Sequence, residues 1–216
     1  MLYIANPARD SRIYNPAEES DETVALNREQ VRAIQNAIPR LKDDRERCLL
    51  GLLAYTSMRR EELLALRWEN IDFQNNTFEI RAALVYPNSK PTLKATKTKS
   101  GKRIFPMDER LRDVLKPCAR QRGLIISNDM GQPLTLHGYQ KLWRTLSEHV
   151  DLYGMTAKNF RTTFATMAIA SGVDIRTTQA LMGHSDPKMT LKAYAKVEES
   201  RLPAAINKIS DFLSEV

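Results

Sequence analysis

The spacing of hydrophobic residues changes twice along this chain, and this change limits the possible fold more than any other feature. Apolar residues recur at helical spacing from residue 27 to about 66 and again from about 108 to the end. Between these stretches, Thr77-Phe78-Glu79-Ile80 alternates as a strand after an Asn75-Asn76 turn, and Arg103–Pro106 is expected to form a further strand. We therefore predict a mainly α domain with one small antiparallel β-sheet, an α+β fold.

Capping residues mark the expected ends of several helices. Asn27 and Gln30 form a capping-box pattern at the start of the first helix, and Asp43 precedes the second. Gly172 and Gly183 stand just after two later helical stretches, where cap glycines are common. The remaining helices are expected at about Arg60–Leu66, Asp108–Leu115, Leu136–Val150, Asn159–Ser171, Asp174–Met182, Pro187–Val197 and Ala204–Val216.

The chain has a surplus of positive charge that is concentrated in one segment. Its 33 Lys and Arg against 26 Asp and Glu give a net charge of +7. Six of these cations and no acid lie between Pro87 and Arg103. A solvated loop is one interpretation of this segment, but strand patterns on both sides predict that Lys97 lies in a β-hairpin. Such a hairpin could hold a lysine against a phosphate backbone, so the charge favours a polyanionic partner.

Several classes of protein and site are excluded or disfavoured. The longest apolar run, Cys48–Tyr55, is far shorter than the roughly 20 residues that span a bilayer. We expect no membrane association and no signal peptide, and two cysteines suit a reducing cytosol. Phosphate-loop, H-E-x-x-H and G-x-S-x-G patterns are absent from the sequence, and no carboxylates cluster on the predicted strands. We therefore expect no cofactor and no metal ion.

Four blocks of residues occur in a fixed order. They are Thr56–Trp68 (TSMRREELLALRW), Lys97–Pro106 (KTKSGKRIFP), Lys158–Thr166 (KNFRTTFAT) and Leu181–Tyr194, which contains Met-Gly-His. Together they resemble the catalytic domain of the tyrosine recombinases, the phage-integrase family. The resemblance covers the chain from about Leu26 to its end. It implies the tyrosine recombinase catalytic-domain fold.

The resemblance also implies a role for each matching residue. Tyr194 would be the nucleophile that attacks a DNA phosphodiester and forms a 3′-phosphotyrosyl link. Arg59 and Arg161 would hold the non-bridging oxygens of the scissile phosphate. Lys97 would protonate the departing 5′-oxygen, and His184 would assist the phosphate or the tyrosine.

Lys158 departs from the family pattern, which usually has histidine at this position. A lysine can donate a hydrogen bond to a phosphate oxygen, but an ammonium with a pKa of about 10.4 accepts a proton poorly. We interpret Lys158 as a donor that replaces histidine, and the alternative is a weakened or silent active site.

Each of the other residues also has an ordinary structural interpretation when it is taken alone. Arg59 could form a surface ion pair with Glu62, and Arg161 could be a buried structural arginine. His184 could cap a helix, and Tyr194 could be a core aromatic. Only the joint pattern of the four blocks favours catalysis over these alternatives.

The resemblance therefore predicts the catalytic domain of a site-specific DNA recombinase or integrase from a phage or conjugative element. A non-catalytic DNA-binding protein of the same fold and a type IB topoisomerase are the alternatives. Residues 1–25 are expected to be an interdomain linker remnant and residues 26–216 the catalytic domain. The helix Ala204–Val216 would dock in trans on a neighbouring subunit, with packing in cis as the alternative.

The resemblance implies partners and a location as well. Double-stranded DNA with specific recombination sites would be the substrate, and the subunits would form a tetramer on it. Accessory factors that bend DNA or set the direction of the reaction would take part. The protein would act in the bacterial cytoplasm, associated with the nucleoid when it is on DNA.

Overall fold

A computed structural model describes residues 23–95 and 102–183 of the chain. The helices in these ranges are α1 (Arg28–Ala37), α2 (Asp44–Tyr55), α3 (Arg60–Leu64), α4 (Glu109–Leu115), α5 (Leu136–Val150), α6 (Ala157–Ala170) and α7 (Ile175–Met182). The strands are β1 (Ile71–Asp72), β2 (Thr77–Ile80), β3 (Ala82–Val85), β4 (Thr92–Ala95) and β5 (Arg103–Pro106). This arrangement confirms the predicted α+β class. The predicted helices Pro187–Val197 and Ala204–Val216 lie outside the described residues.

The helices begin where short polar side chains can satisfy their first backbone N–H groups. The Asn27 side chain accepts from the Gln30 N–H at 2.8 Å, and the Gln30 side chain accepts from the Asn27 N–H at 2.9 Å. This contact confirms the predicted capping box. Asp43 likewise accepts from two N–H groups at the start of α2. α7 ends at Met182 and is capped by Gly183, whose φ of +61° lies in the left-handed region that favours glycine.

The strands form two antiparallel sheets instead of the predicted single sheet. One sheet has the order β1-β2-β5, with Phe78 opposite Phe105, and the other pairs β3 with β4. The chain reverses between β3 and β4 at Asn88 and Ser89, both at positive φ. β5 pairs with the edge of β2 opposite β1, so it belongs to the first sheet.

The prediction that Lys97 lies in a β-hairpin stays a prediction, because the structure describes only the strands on either side of it. β4 ends at Ala95 and β5 begins at Arg103, and these two strands belong to different sheets in the described structure. Lys97 itself lies outside the described residues. β4 was not predicted, because Thr92-Leu93-Lys94-Ala95 lies within the basic segment and is mostly exposed, so it lacks a clear buried face.

The core surrounds α2, and the packing of its neighbours holds α6 in place. Leu50 and Leu52 of α2 are fully buried. A Cβ at Gly51 would lie 2.7 Å from Val114 Cγ1, so glycine allows α4 to pack closely on α2. Phe105 of β5 lies 6.1 Å from Phe164 of α6 between ring centroids. α6 therefore has a fixed position relative to the sheet and the core.

Among residues 23–95 and 102–183, no helix combines the length and the apolar character that crossing a membrane requires.

Candidate active site

Arg59 lies at the junction between α2 and α3 and is held there by its own helix. It is the N-cap residue of α3, and its backbone N–H donates to Glu62 Oε2 at 3.0 Å. Its side chain donates from Nη1 to Glu62 Oε1 at 3.0 Å and from Nη2 to the Gly183 carbonyl at 3.2 Å. The Arg59 side chain remains 38% exposed. The guanidinium is therefore oriented by the protein while part of it faces solvent, and the expected pairing with Glu62 is present.

The Glu62 carboxylate is the anionic centre of this region. Its side chain is 5% exposed, and it also accepts from Arg103 Nη1 at 3.2 Å and Nη2 at 2.9 Å. Burial alone would raise the pKa of Glu62, but the hydrogen bonds and charges of Arg103 and Arg59 outweigh it and lower the pKa. Glu62 is therefore ionised at neutral pH and serves two arginines.

Arg161 reaches the same region from the first turns of α6. Its Nη1 donates to the Ser57 carbonyl, and its Nη2 donates to the Met182 carbonyl at 2.6 Å. Burial and the nearby Arg59 charge together lower the pKa of Arg161 to about 9. A cation that is both desolvated and close to like charges is favourably placed to bind an anion.

Backbone contacts join the three segments that carry these arginines. The Ser57 hydroxyl donates to the Leu181 carbonyl at 2.6 Å, which links the segment before α3 to the end of α7. Ser57 is fully buried. Because the carbonyls of Ser57, Met182 and Gly183 accept from Arg161 and Arg59, the end of α7 helps to fix both guanidinium groups.

Lys158 shares an open cleft with these two arginines. The cleft has a volume of about 400 Å³, and Arg59, Lys158 and Arg161 are part of its lining. Tyr139 and Trp143 of α5 form an aromatic side of the same cleft. The structure therefore brings three of the six predicted site residues to one cavity, although Arg59 and Arg161 lie about 100 residues apart in sequence.

Lys97, His184 and Tyr194 lie outside the described residues, so their predicted roles stay predictions. The described structure nevertheless ends at Gly183, directly before His184, and the Gly183 carbonyl contacts Arg59. In the same described ranges, no group of three or more His, Cys, Asp or Glu could hold a metal ion.

Comparison with known proteins agrees with this geometry. The sequence profile described as "Phage integrase family" matches residues 25–201. The chain belongs to the phage integrase family. A tyrosine recombinase XerC-like protein of Caldanaerobacter subterraneus subsp. tengcongensis is 25% identical over 97% of this chain and 61% of its own length. A tyrosine recombinase XerA of Thermococcus onnurineus is 29% identical over 85% of this chain and 62% of its own length.

Solved structures show the same fold. The Tn1549 transposon integrase in complex with transposon right end DNA superposes with a TM-score of 0.74 at 21% identity, over 90% of this chain and 68% of that chain. The XerA recombinase gives 0.64 at 20% identity, over 90% of this chain and 66% of that chain. The chain spans about three fifths of the length of the two recombinases described above. These similarities confirm the predicted catalytic-domain fold of this integrase-family chain.

The sequence prediction missed some residues that orient the arginines. Arg103 belongs to the Lys97–Pro106 block and was counted among the six cations of the basic segment, but no role was predicted for it. Its side chain is 9% exposed and pairs with Glu62. The carbonyl groups of Ser57, Met182 and Gly183 were not predicted to bind arginine either. Its place in the Lys97–Pro106 block and at the start of a predicted strand were sequence signals for Arg103, but neither reveals its partner, which lies 41 residues away.

Proposed function

We propose that this chain is the catalytic domain of a site-specific DNA recombinase or integrase that cuts and rejoins DNA strands through Tyr194. One observation carries the proposal. Arg59 and Arg161 come from different helices, face one cleft with Lys158, and are each oriented by backbone carbonyls or by Glu62. The assembled cations suit a phosphodiester, and the Tn1549 integrase was solved with DNA. A phage or conjugative element is the proposed source.

The arrangement of cations matches the needs of phosphoryl transfer. Charge develops on the non-bridging oxygens of the phosphate in the transition state, and planar guanidinium groups meet two oxygens with paired hydrogen bonds. Arg59 and Arg161 would supply this contact, and Lys158 would donate another hydrogen bond from the same cleft. Fixed cations stabilise such charge without having to reorganise during the reaction.

Tyr194 would supply the nucleophile. A phenol has a pKa of about 10, so it needs a cationic site to attack at neutral pH. The Tyr194 oxygen would bond to phosphorus while the bond to the 5′-oxygen breaks, and Lys97 would protonate that oxygen. His184 would assist the phosphate or the tyrosine. Because the intermediate is still a phosphodiester, attack by a 5′-hydroxyl reseals the strand without ATP.

Assembly on DNA is the second part of the proposal. The protein would act as a tetramer on paired double-stranded sites, with accessory factors that bend DNA or set direction. It would work in the bacterial cytoplasm at the nucleoid. Residues 1–25 would be an interdomain linker, and residues 26–216 the catalytic domain.

An apolar groove on the described surface supports the docking of residues 204–216 in trans. The groove has a volume of about 450 Å³ and lies between α1, α6 and α7, with Val31, Phe164 and Met167 in its lining. The occupant would be the helix 204–216 of a neighbouring subunit, whose apolar residues are Ile206, Ile209, Phe212 and Leu213. Phe212→Asp should abolish tetramers on DNA and leave DNA-free monomers folded. Tetramers that persist would instead indicate packing in cis.

A covalent trapping experiment tests the catalytic proposal. Full-length protein is mixed with a pool of duplexes of random sequence, each nicked a few nucleotides 3′ of the positions available for cleavage. After cleavage the short 5′-hydroxyl fragment diffuses away, so the protein remains attached to the DNA. Sequencing of the DNA in denaturant-resistant adducts then identifies the preferred site.

Each outcome distinguishes the proposal from its alternatives. We expect adducts that are enriched for one sequence and that disappear in Tyr194→Phe. DNA binding without any adduct from folded protein would indicate a silent DNA-binding protein. Lys158→His would then test whether the lysine at this position silences the site. Efficient relaxation of supercoiled plasmid that lacks the selected sequence would favour a type IB topoisomerase.

A further inference from the structure

Arg103 lies behind the cleft and does not line it, yet it contacts the groups that hold Arg59. It is the first residue of β5, and its side chain is 9% exposed. Its Nη1 and Nη2 atoms donate to the two oxygens of Glu62 at 3.2 and 2.9 Å. A guanidinium that is this buried, with both terminal nitrogens engaged by a carboxylate, is not free to bind a phosphate. Arg103 is therefore not a direct ligand of DNA in this conformation.

The Glu62 carboxylate makes the geometry of Arg59 depend on Arg103. Oε1 accepts from Nη1 of both arginines, and Oε2 accepts from the Arg59 backbone N–H and from Arg103 Nη2. Each carboxylate oxygen thus has one donor from each arginine. The bidentate contact with Arg103 fixes the plane of the carboxylate, and this plane sets where Arg59 Nη1 can lie.

A second contact joins Arg103 to the end of α7. A Cβ built on Gly183 would lie 2.6 Å from Arg103 Nη1 and 2.7 Å from Cζ, so the guanidinium lies directly against the Gly183 backbone. The Gly183 carbonyl accepts from Arg59 Nη2 at 3.2 Å. Arg103 therefore packs against both groups that accept hydrogen bonds from the Arg59 side chain.

This arrangement is not the one that stability alone would favour. Arg103 Nε is buried and has no hydrogen-bond partner in the described part of the chain. Burying a donor without a partner is unfavourable. Arg103 also lies close enough to Arg161 to add to the like charge around it. Arg103 thus has an unpaired donor and a like charge nearby, and it still makes a bidentate contact with Glu62. This combination indicates that Arg103 has a role in the geometry of the site.

We propose that Arg103 is a positioning residue for DNA cleavage, and that it holds the Arg59 guanidinium in its phosphate-binding orientation through Glu62 and the Gly183 backbone. This role rests on the proposed strand-cleavage function. It also couples the strand that follows the Lys97 segment to the arginine on α3, since β5 begins at Arg103.

Arg103→Lys and Arg103→Met are the variants that test this role. Lysine keeps the charge but cannot form the bidentate contact, whereas methionine removes both. At saturating protein, adduct formation on the selected nicked duplex should slow about tenfold for Arg103→Lys and about 100-fold for Arg103→Met. Binding to the same duplex should be retained. Arg47→Met is the control, because Arg47 is a partly buried arginine, 22% exposed, that is ion-paired with Asp44 at 2.9 Å and does not line the cleft.

A second substrate separates positioning from general loss of structure. In this duplex a methyl group replaces one non-bridging oxygen of the scissile phosphate, so the phosphate has no charge for Arg59 to neutralise. If Arg103 acts through Arg59, the defect of Arg103→Lys should become several-fold smaller on this substrate. Arg59→Lys and Arg103→Lys should also be clearly non-additive when they are combined. Defects of equal size on both substrates would show that Arg103 is merely structural.

The remaining outcomes are also decisive. Circular dichroism identifies temperatures at which each variant is folded. If Arg103→Met does not fold, the rates of Arg103→Lys on the two substrates decide whether Arg103 positions Arg59. Absence of any adduct from the unsubstituted protein would overturn the proposed function, and this role with it. Adducts from the unsubstituted protein at the same rate as from Arg103→Lys would overturn only the role of Arg103.

Discussion

Replacement of Glu62 by glutamine should destabilise the protein by about 3–5 kcal/mol at neutral pH, because the buried Arg103 guanidinium loses its counter-ion. The side chains of Glu62 and Arg103 are only 5% and 9% exposed, so solvent cannot replace the lost charge. The amide also fits poorly in either orientation. Both carboxylate oxygens already accept two N–H donors, and the NH₂ group of glutamine would face donors wherever it is placed.

The expected loss is large relative to the total stability of a domain, which is about 5–15 kcal/mol. With a urea dependence of about 2 kcal/mol per molar, the unfolding midpoint should fall by roughly 2 M. Glu46→Gln is the matched control. Glu46 is equally buried, but its carboxylate is paired with the half-exposed His149 at 2.8 Å, and we expect a smaller loss of about 1–3 kcal/mol.

The pH dependence gives an independent check. The folded-state pKa of Glu62 lies below its ordinary value of 4.5, so its contribution to stability is present above about pH 4.5 and is lost as the pH falls through the folded-state pKa. The difference between the unsubstituted protein and Glu62→Gln should therefore shrink below pH 4.5. Urea unfolding followed by circular dichroism at pH 7 and at several acidic pH values measures it. A loss under about 1 kcal/mol at pH 7, or a difference that is constant with pH, would refute the reasoning.

Four other substitutions test separate parts of the structure. Lys158→His should raise the cleavage rate by less than about tenfold if Lys158 already works as a donor, and a gain of 100-fold or more in single-turnover assays would mean that the native site is weakened. Lys97→Ala should slow cleavage by about 100-fold or more while DNA affinity changes little, because one phosphate contact is a small share of affinity. Equal losses of cleavage rate and DNA affinity would contradict this. Gly183→Ala should lower the free energy of unfolding in urea by about 2–3 kcal/mol, since a positive φ is combined with a Cβ 2.6 Å from Arg103 Nη1. The control Gly154→Ala, at φ +73° with open space around it, should lower it by only about 1–2 kcal/mol. Asn27→Ala should lower stability by about 1 kcal/mol through the lost cap without changing the cleavage rate of the folded protein, and a changed rate would link α1 to the site.

The sequence predicted the helices well where their limits depend on neighbouring residues. The start of α1 follows from Asn27 and Gln30, and α5 spans the predicted residues Leu136–Val150. Such caps act within four residues of the helix end, so they are visible in a linear pattern. The order of the four blocks also sufficed to identify the family, because each block is local and only their order extends along the chain.

Strand pairing could not be predicted in the same way. The strand pattern of β5 was visible, but its partner was not, because strand pairing joins distant segments and no local pattern marks the partner. The structure pairs β5 with β2, while the turn at Asn88 and Ser89 pairs β4 with β3. The separation into two sheets is therefore a result of tertiary structure.

By itself, the sequence determined the fold class, the family and the types of residue at the candidate site. Arg59 and Arg161 were named from their blocks, and an ion pair between Arg59 and Glu62 was considered. Only the tertiary structure decided that Glu62 is shared with Arg103 and that the carbonyls at the end of α7 hold both site arginines. These contacts join residues 21 to 124 positions apart. They depend on how helices and strands pack together, and no local preference of the chain encodes that packing.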